Sequence, residues 1–279
     1  IQEGRVSIEE AVEIGTGDQK ALFADIFLPP KEELNRPAIL FVHGGGWIEG
    51  DRSQLRGYGI LLARLGFVTM CNSYRLSNEA HWPAQIQDVK CAIRYLRANA
   101  QKLGIDPERI GVSGNSAGGH LSLMAAATSY DDSFEGEGGN NDISSKVKAT
   151  CAIYPPTTIR QLDLDPLENA FAMLMGTDAS EEDYKKASPM NYVSEDFPPC
   201  MLVHGSTDTV VPLKESTDFY DKLKEKNIPS SLHIYAEEEH AFDGDSDKGR
   251  SVADLQALFF KKYLSLIHIS EPTRRTPIS

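Results

Sequence analysis

Arg109-Ile110-Gly111-Val112-Ser113-Gly114-Asn115-Ser116-Ala117-Gly118-Gly119-His120 is the stretch on which the reading of the fold turns. Its first five residues read as a short buried strand, and the Ala- and Leu-rich run Ser116–Thr128 reads as a helix. Between them G-x-S-x-G leaves no length for a loop, so the chain must pass from strand to helix in one tight turn. Flanking glycines permit that strained turn, and it pushes the Ser116 hydroxyl out at the edge of a sheet. A Gly-rich turn with an N-capping serine would use the same letters. The buried strand before it and the helix behind it favour an exposed nucleophile.

The same alternation continues on both sides. Upstream, Ala38–Val42 and Phe67–Cys71 are short apolar strands, while Leu55–Leu65 and Ala84–Leu103 have helical spacing, with Gly104 placed as a C-terminal cap. Downstream, Val147–Tyr154, a segment centred on Leu202–His204, and Ser231–Ala236 read as strands; Leu213–Lys226 and Arg250–Tyr263 read as helices. Strands alternating with helices of ten or more residues predict an α/β fold with a mainly parallel central sheet flanked by helices. Val6–Ile14 and Leu22–Leu28 alternate apolar and polar residues, as half-buried antiparallel strands do. Tyr130–Lys146 is polar and Gly-rich, a surface loop. Pro155–Pro199, with a helix-like piece around Leu167–Leu174, is expected to form a small cap-like insertion above the strands' carboxyl ends. Residues 1–263 are read as a single domain.

Composition removes several function classes. The chain has 279 residues and a formal net charge of −13, with 41% hydrophobic and 25% charged residues. An acidic chain without a basic block is a poor partner for nucleic acid or an anionic membrane. No uncharged apolar run is long enough for a membrane-spanning helix. The chain begins at Ile1 rather than Met, so export through a removed leader stays open. Cys71, Cys91, Cys151 and Cys200 lack metal-binding spacing and are expected to be buried free thiols. From Leu264 the chain reads LSLIHISEPTRRTPIS, without helical or strand period. Leu264–Arg274 resembles the translation of a sequencing-library adapter, so 264–279 is set aside as a non-native tail.

A serine hydroxyl becomes a nucleophile when a base removes its proton and an acid holds that base in the right tautomer. After a nucleophile elbow the partners follow as acid, then histidine. Asp208, in Val203-His204-Gly205-Ser206-Thr207-Asp208, lies just past a strand, whereas Asp218 and Asp221 fall inside a helix. Of the later histidines, His233 is within a strand and His268 within the set-aside tail, which leaves His240. The oxyanion formed on attack needs backbone N–H donors. His43-Gly44-Gly45-Gly46-Trp47 follows a buried strand directly, so Gly45, Gly46 and Ala117 are the expected donors, with Gly44 beside them. No Gly-Lys-Ser/Thr and no G-x-G-x-x-G occurs to make this a phosphate loop. His43 reads as a hydrogen-bonding prop, His120 as a packing residue, and Trp47 and Trp82 as substrate-pocket walls. The acids of Asp243–Asp247 resemble the start of a calcium loop, but Lys248 and Asp254 occupy its glycine and glutamate positions, so the segment is read as a helix cap. Glu237–Glu239 reads as a solvated acidic stretch.

These residues together resemble the α/β-hydrolase-fold esterases of the hormone-sensitive-lipase-like group, and within it the bacterial feruloyl- or acetylxylan-esterase-like branch. The carriers are HGGGW at 43–47, Tyr74-Arg75-Leu76 with Pro83 and Asp88, Gly104-Ile105-Asp106-Pro107 with Arg109-Ile110, GNSAGGH at 114–120, HGSTD at 204–208, and His240. Asn115 and Ala241 stand where that group often has Asp and Gly. The resemblance implies an α/β-hydrolase fold and a serine esterase without metal or cofactor. It would act on short-chain acyl, acetyl-sugar or hydroxycinnamoyl esters, either small molecules or linked to polysaccharide. An arylformamidase with the same triad, and a catalytically silent hydrolase-fold binding protein, are the competing readings.

Overall fold

The strand order explains where the Ser116 turn sits. The computed structural model describes residues 4–31, 33–162 and 169–265. Among the described residues one sheet contains β1 (Ser7–Gly17), β2 (Lys20–Leu28), β3 (Arg36–Val42), β4 (Val68–Asn72), β5 (Ile105–Asn115), β6 (Ala149–Ile153), β7 (Cys200–Gly205) and β8 (Ser230–Tyr235). They lie side by side as β1-β2-β4-β3-β5-β6-β7-β8. β1 pairs antiparallel with β2, and β2 with β4; from β4 to β8 every pairing is parallel. β5 is thus central, and its carboxyl end opens beside those of β3 and β6.

The helices are α1 (Arg56–Arg64), α2 (Ala84–Ala98), α3 (Ala100–Leu103), α4 (Ala117–Ala127), α5 (Ala170–Met175), α6 (Glu181–Lys186), α7 (Lys214–Glu225) and α8 (Ser246–Leu264). α1 and α8 cover one face, burying Phe41, Leu62, Phe67 and Phe260. α2, α4 and α7 cover the other, burying Leu40, Val112, Leu121 and Phe219. β4, β6 and β7 are buried along their whole length. Covered on both faces, they can be continuous apolar runs without alternation.

Three boundaries differ from the sequence expectation. The long helix expected over 84–103 is interrupted at Asn99, between α2 and α3. β5 begins four residues before Arg109, because Gly104 turns in a left-handed conformation (φ 67°) and Ile105 then pairs with Arg36. α8 begins at Ser246, four residues before Arg250, because the Asp245 carboxylate accepts from the N–H groups of Asp247 and Lys248 at 3.0 and 3.2 Å. That is an N-cap, which apolar periodicity does not register. The insertion carries α5, α6 and a 3-10 turn at Pro189–Tyr192. Leu167 and Glu168 lie outside the described residues, as do 266–279 of the set-aside tail. The four cysteines are buried and unpaired.

Candidate active site

Ser116 joins β5 to α4 with φ 52° and ψ −119°, a conformation an L-residue adopts only under constraint. The constraint is close packing. A Cβ on Gly118 would fall inside the carbonyl oxygens of Val42 and His43, so α4 starts directly over the end of β3. The Ser116 N–H donates to the Ile153 carbonyl at 2.8 Å, which fixes the turn to β6.

His240, in the loop after β8, and Asp208, in the loop after β7, converge on this serine. His240 Nε2 lies 2.9 Å from Ser116 Oγ, and its Nδ1 lies 2.7 Å from Asp208 Oδ2. A carboxylate can only accept, so Nδ1 carries the proton and Nε2 offers a lone pair to the serine. Asp208 Oδ1 accepts from the Val210 and Val211 N–H groups at 2.9 and 2.8 Å. His204 Nε2 points between the Val211 carbonyl (2.8 Å) and Asp208 Oδ2 (3.2 Å), a shared donor to two acceptors. Burial by itself would raise the Asp208 carboxyl. Hydrogen bonds from His204, His240 and the Val211 N–H outweigh it and hold the group well below the usual carboxylate range.

The glycine loop after β3 faces the serine. Gly45, Gly46 and Trp47 all have positive φ (101°, 58° and 62°). Neither the Gly45 nor the Gly46 N–H donates to a carbonyl among the described residues. Ala117 opens α4, where an N–H has no carbonyl one turn earlier to bond. Gly46, Trp47, Ser116 and Ala117 share the wall of a cavity of about 220 Å³, closed otherwise by Phe171 and Val211 among others. Gly44 packs against the Asn115 carbonyl behind the serine. His43 donates from Nδ1 to the Gly44 carbonyl at 2.8 Å and stacks on Tyr74 at 4.2 Å. Burial lowers its pKa to about 4, so it is a neutral prop.

Trp82 requires a correction. It does not reach the Ser116 cavity; its ring lies 5.6 Å from His120 and walls a separate groove with Phe134 and Tyr192. His120 stands between, with Trp47 edge-on at 5.2 Å. Its Nε2–H donates to the Ala187 carbonyl at 2.7 Å, tying α4 to the insertion. Sequence reasoning assigned no role at the site to His204, Tyr154 or Asp243. His204 had a signal, four residues before Asp208; Asp243 entered only as the first acid of the calcium-like run, and Tyr154 had no signal. Of the acidic run, Glu239 accepts from the Thr209 N–H and hydroxyl, and Glu238 pairs with Lys248. Those contacts brace the loops that carry Asp208 and His240.

A parallel sheet whose central strand ends in a constrained serine, with histidine and aspartate delivered by later strands, defines an α/β-hydrolase. A family model described as BD-FAE matches residues 24–223, and the chain belongs to that family. Esterase LipC of Mycobacterium tuberculosis is 35% identical over 221 residues, covering 75% of this chain and 53% of LipC. This chain spans about half the length of these curated relatives, which include the M. tuberculosis proteins LipM and LipQ. A truncated carbohydrate esterase from gut microbiota has a similar fold, with TM-score 0.82 and 28% identity over 95% of this chain and 98% of that one. The apo form of Thermogutta terrifontis esterase 2 is similar at TM-score 0.79 and 26% identity, over 94% and 96% of the two chains.

Proposed function

We propose that this chain is a serine carboxylic-ester hydrolase that works through an acyl-enzyme. The observation that carries the reading is the unbroken hydrogen-bond chain Ser116–His240–Asp208 at the wall of a cavity. Ser116 Oγ attacks the ester carbonyl carbon while its proton passes to His240 Nε2. The oxyanion is met by the N–H groups of Gly45, Gly46 and Ala117. As the C–O bond to the alcohol breaks, His240 returns the proton to the leaving oxygen. Water then attacks the acyl-enzyme by the same route, with the serine as leaving group. Asp208 keeps its charge throughout and orients the imidazole.

A cavity of about 220 Å³ is smaller than the usual pocket for a drug-sized ligand, and it is walled largely by Trp47, Phe171 and other apolar groups. That favours short acyl groups, acetyl to butyryl, over hydroxycinnamoyl ones. Similarity to a carbohydrate esterase supports acetylated sugars as carriers of that group. The test is a panel of p-nitrophenyl acetate, butyrate and octanoate, methyl ferulate and acetylated xylan, run on the wild type and on Ser116→Ala. Removal of the nucleophile is expected to lower kcat by about 10⁴-fold or more. Full activity in Ser116→Ala would sink the mechanism, and a preference for ferulate would overturn the acyl assignment.

A further inference from the structure

Behind the catalytic imidazole lies a polar cluster, with Tyr154 buried and Asn115 and Asp243 half-buried, that the mechanism above does not use. Tyr154 directly follows β6 and has φ 39°, a backbone conformation that a bulky aromatic residue avoids. Its N–H donates to the Val203 carbonyl at 2.6 Å, so the neighbouring strand holds it there. The result is a ring whose centroid lies 4.6 Å from that of His240, tilted by 57°. The Tyr154 hydroxyl donates to Asp243 Oδ1, and the Tyr58 hydroxyl donates to Asp243 Oδ2 at 2.6 Å. Burial, and then the Asp243 charge, push both phenols up, so both keep their protons.

The direction of every bond in the cluster follows. A carboxylate only accepts, so the single hydrogen of the Tyr154 phenol goes to Asp243. Its oxygen is then free to accept, and the Asn115 amide nitrogen donates to it from 3.2 Å. An amide at 115, a phenol at 154 and a carboxylate at 243 are the complementary set. Asn115 immediately precedes the serine, and Asp243 is three residues after His240. One phenol therefore ties the turn that carries the nucleophile to the turn that carries the base.

We infer that Tyr154, locked by Asn115 and Asp243, is a positioning residue that holds the His240 imidazole in register with Ser116. The inference rests on the serine-esterase reading. Asn115→Asp would flank one phenol hydrogen with two carboxylates, and Asp243→Asn would remove the charged acceptor of both tyrosines. The double variant restores one amide and one carboxylate with their places exchanged. Each single variant is expected to lower kcat on p-nitrophenyl acetate about tenfold with KM within about twofold, because misplacing a base costs rate and not binding. The double variant is expected to be at least about threefold faster than the slower single one, since groups in one network couple. Tyr154→Phe, which keeps the ring and loses only the hydroxyl, is expected to lower kcat about fivefold or more and to abolish that rescue. A double variant without the rescue, or a Tyr154→Phe enzyme within about twofold of wild-type kcat, would overturn the inference. Ser116→Ala in the same backgrounds keeps the two ideas apart: activity that survives it refutes the serine mechanism, whatever the exchange does.

Discussion

His204 carries more of the site than its place inside a strand suggests. Its side chain is fully buried, Nε2–H is shared between Asp208 and the Val211 carbonyl, and Nδ1 lies 2.7 Å from the Ser216 hydroxyl. Replacing it with leucine would leave the Val211 carbonyl and the Asp208 carboxylate each short of a donor. His204→Leu is expected to cost about 1–3 kcal/mol of stability, the range for a buried polar group left unpaired. It should also lower kcat about tenfold through a less well held Asp208. Urea unfolding and steady-state kinetics on one preparation check both. The two departures from the family pattern also resolve at this scale. Ala241 has φ 59°, so a position where glycine is frequent is one that needs the left-handed region. At Asn115 the amide N–H donates to the phenol oxygen of Tyr154, whose own hydrogen goes to Asp243.

Among the elements, the contact of α4 with β3 decides whether the site exists. Gly118 leaves no space for a side chain above the Val42 and His43 carbonyls, and the obstacles are backbone atoms at the sheet centre that cannot swing aside. Gly118→Ala is expected to destabilise the protein by at least about 3 kcal/mol, at the upper end of overpacking costs. A urea midpoint within error of wild type would refute this. Strand and helix identities were readable from period and apolar runs. Their ends were legible only in part: Gly104 read as a C-terminal cap and Asp243–Asp247 as a helix cap, as found, but the break at Asn99 and the start of β5 at Ile105 left no signal in the period. The insertion was legible as an interruption, but its attachment through His120 to Ala187 joins residues 67 apart in the chain.

For the whole molecule, buried histidines shape stability against pH. Burial lowers His43 and His120 to about 4, although their hydrogen bonds to carbonyls act the other way. In the unfolded chain a histidine titrates near 6.5. Between these values the unfolded state binds more protons, so the stabilisation is complete above about pH 6.5 and is lost as pH falls toward 4. Asp208, also held below its ordinary value, adds a further loss below about pH 4. The urea midpoint is therefore expected to fall steadily from about pH 6.5 to 4, and His120→Gln to flatten that fall. A wild-type midpoint unchanged over this window would contradict the burial argument. No helix among the described residues is long and apolar enough to cross a membrane.

The sequence by itself determined the α/β alternation, the elbow at Ser116 and the order of its partners. These are encoded locally, in apolar runs, in glycines that must turn, and in loop positions after strands. Only the tertiary structure decided which walls face the serine, because burial and ring contacts are set by elements distant in the chain. Trp47 and Trp82 look alike as letters, yet His120 stands between them and only Trp47 lines the cavity. Likewise nothing in the sequence connects Asn115, Tyr154 and Asp243. They become one hydrogen-bonded unit when β5, β6 and the turn before α8 bring an amide, a phenol and a carboxylate within reach of one another.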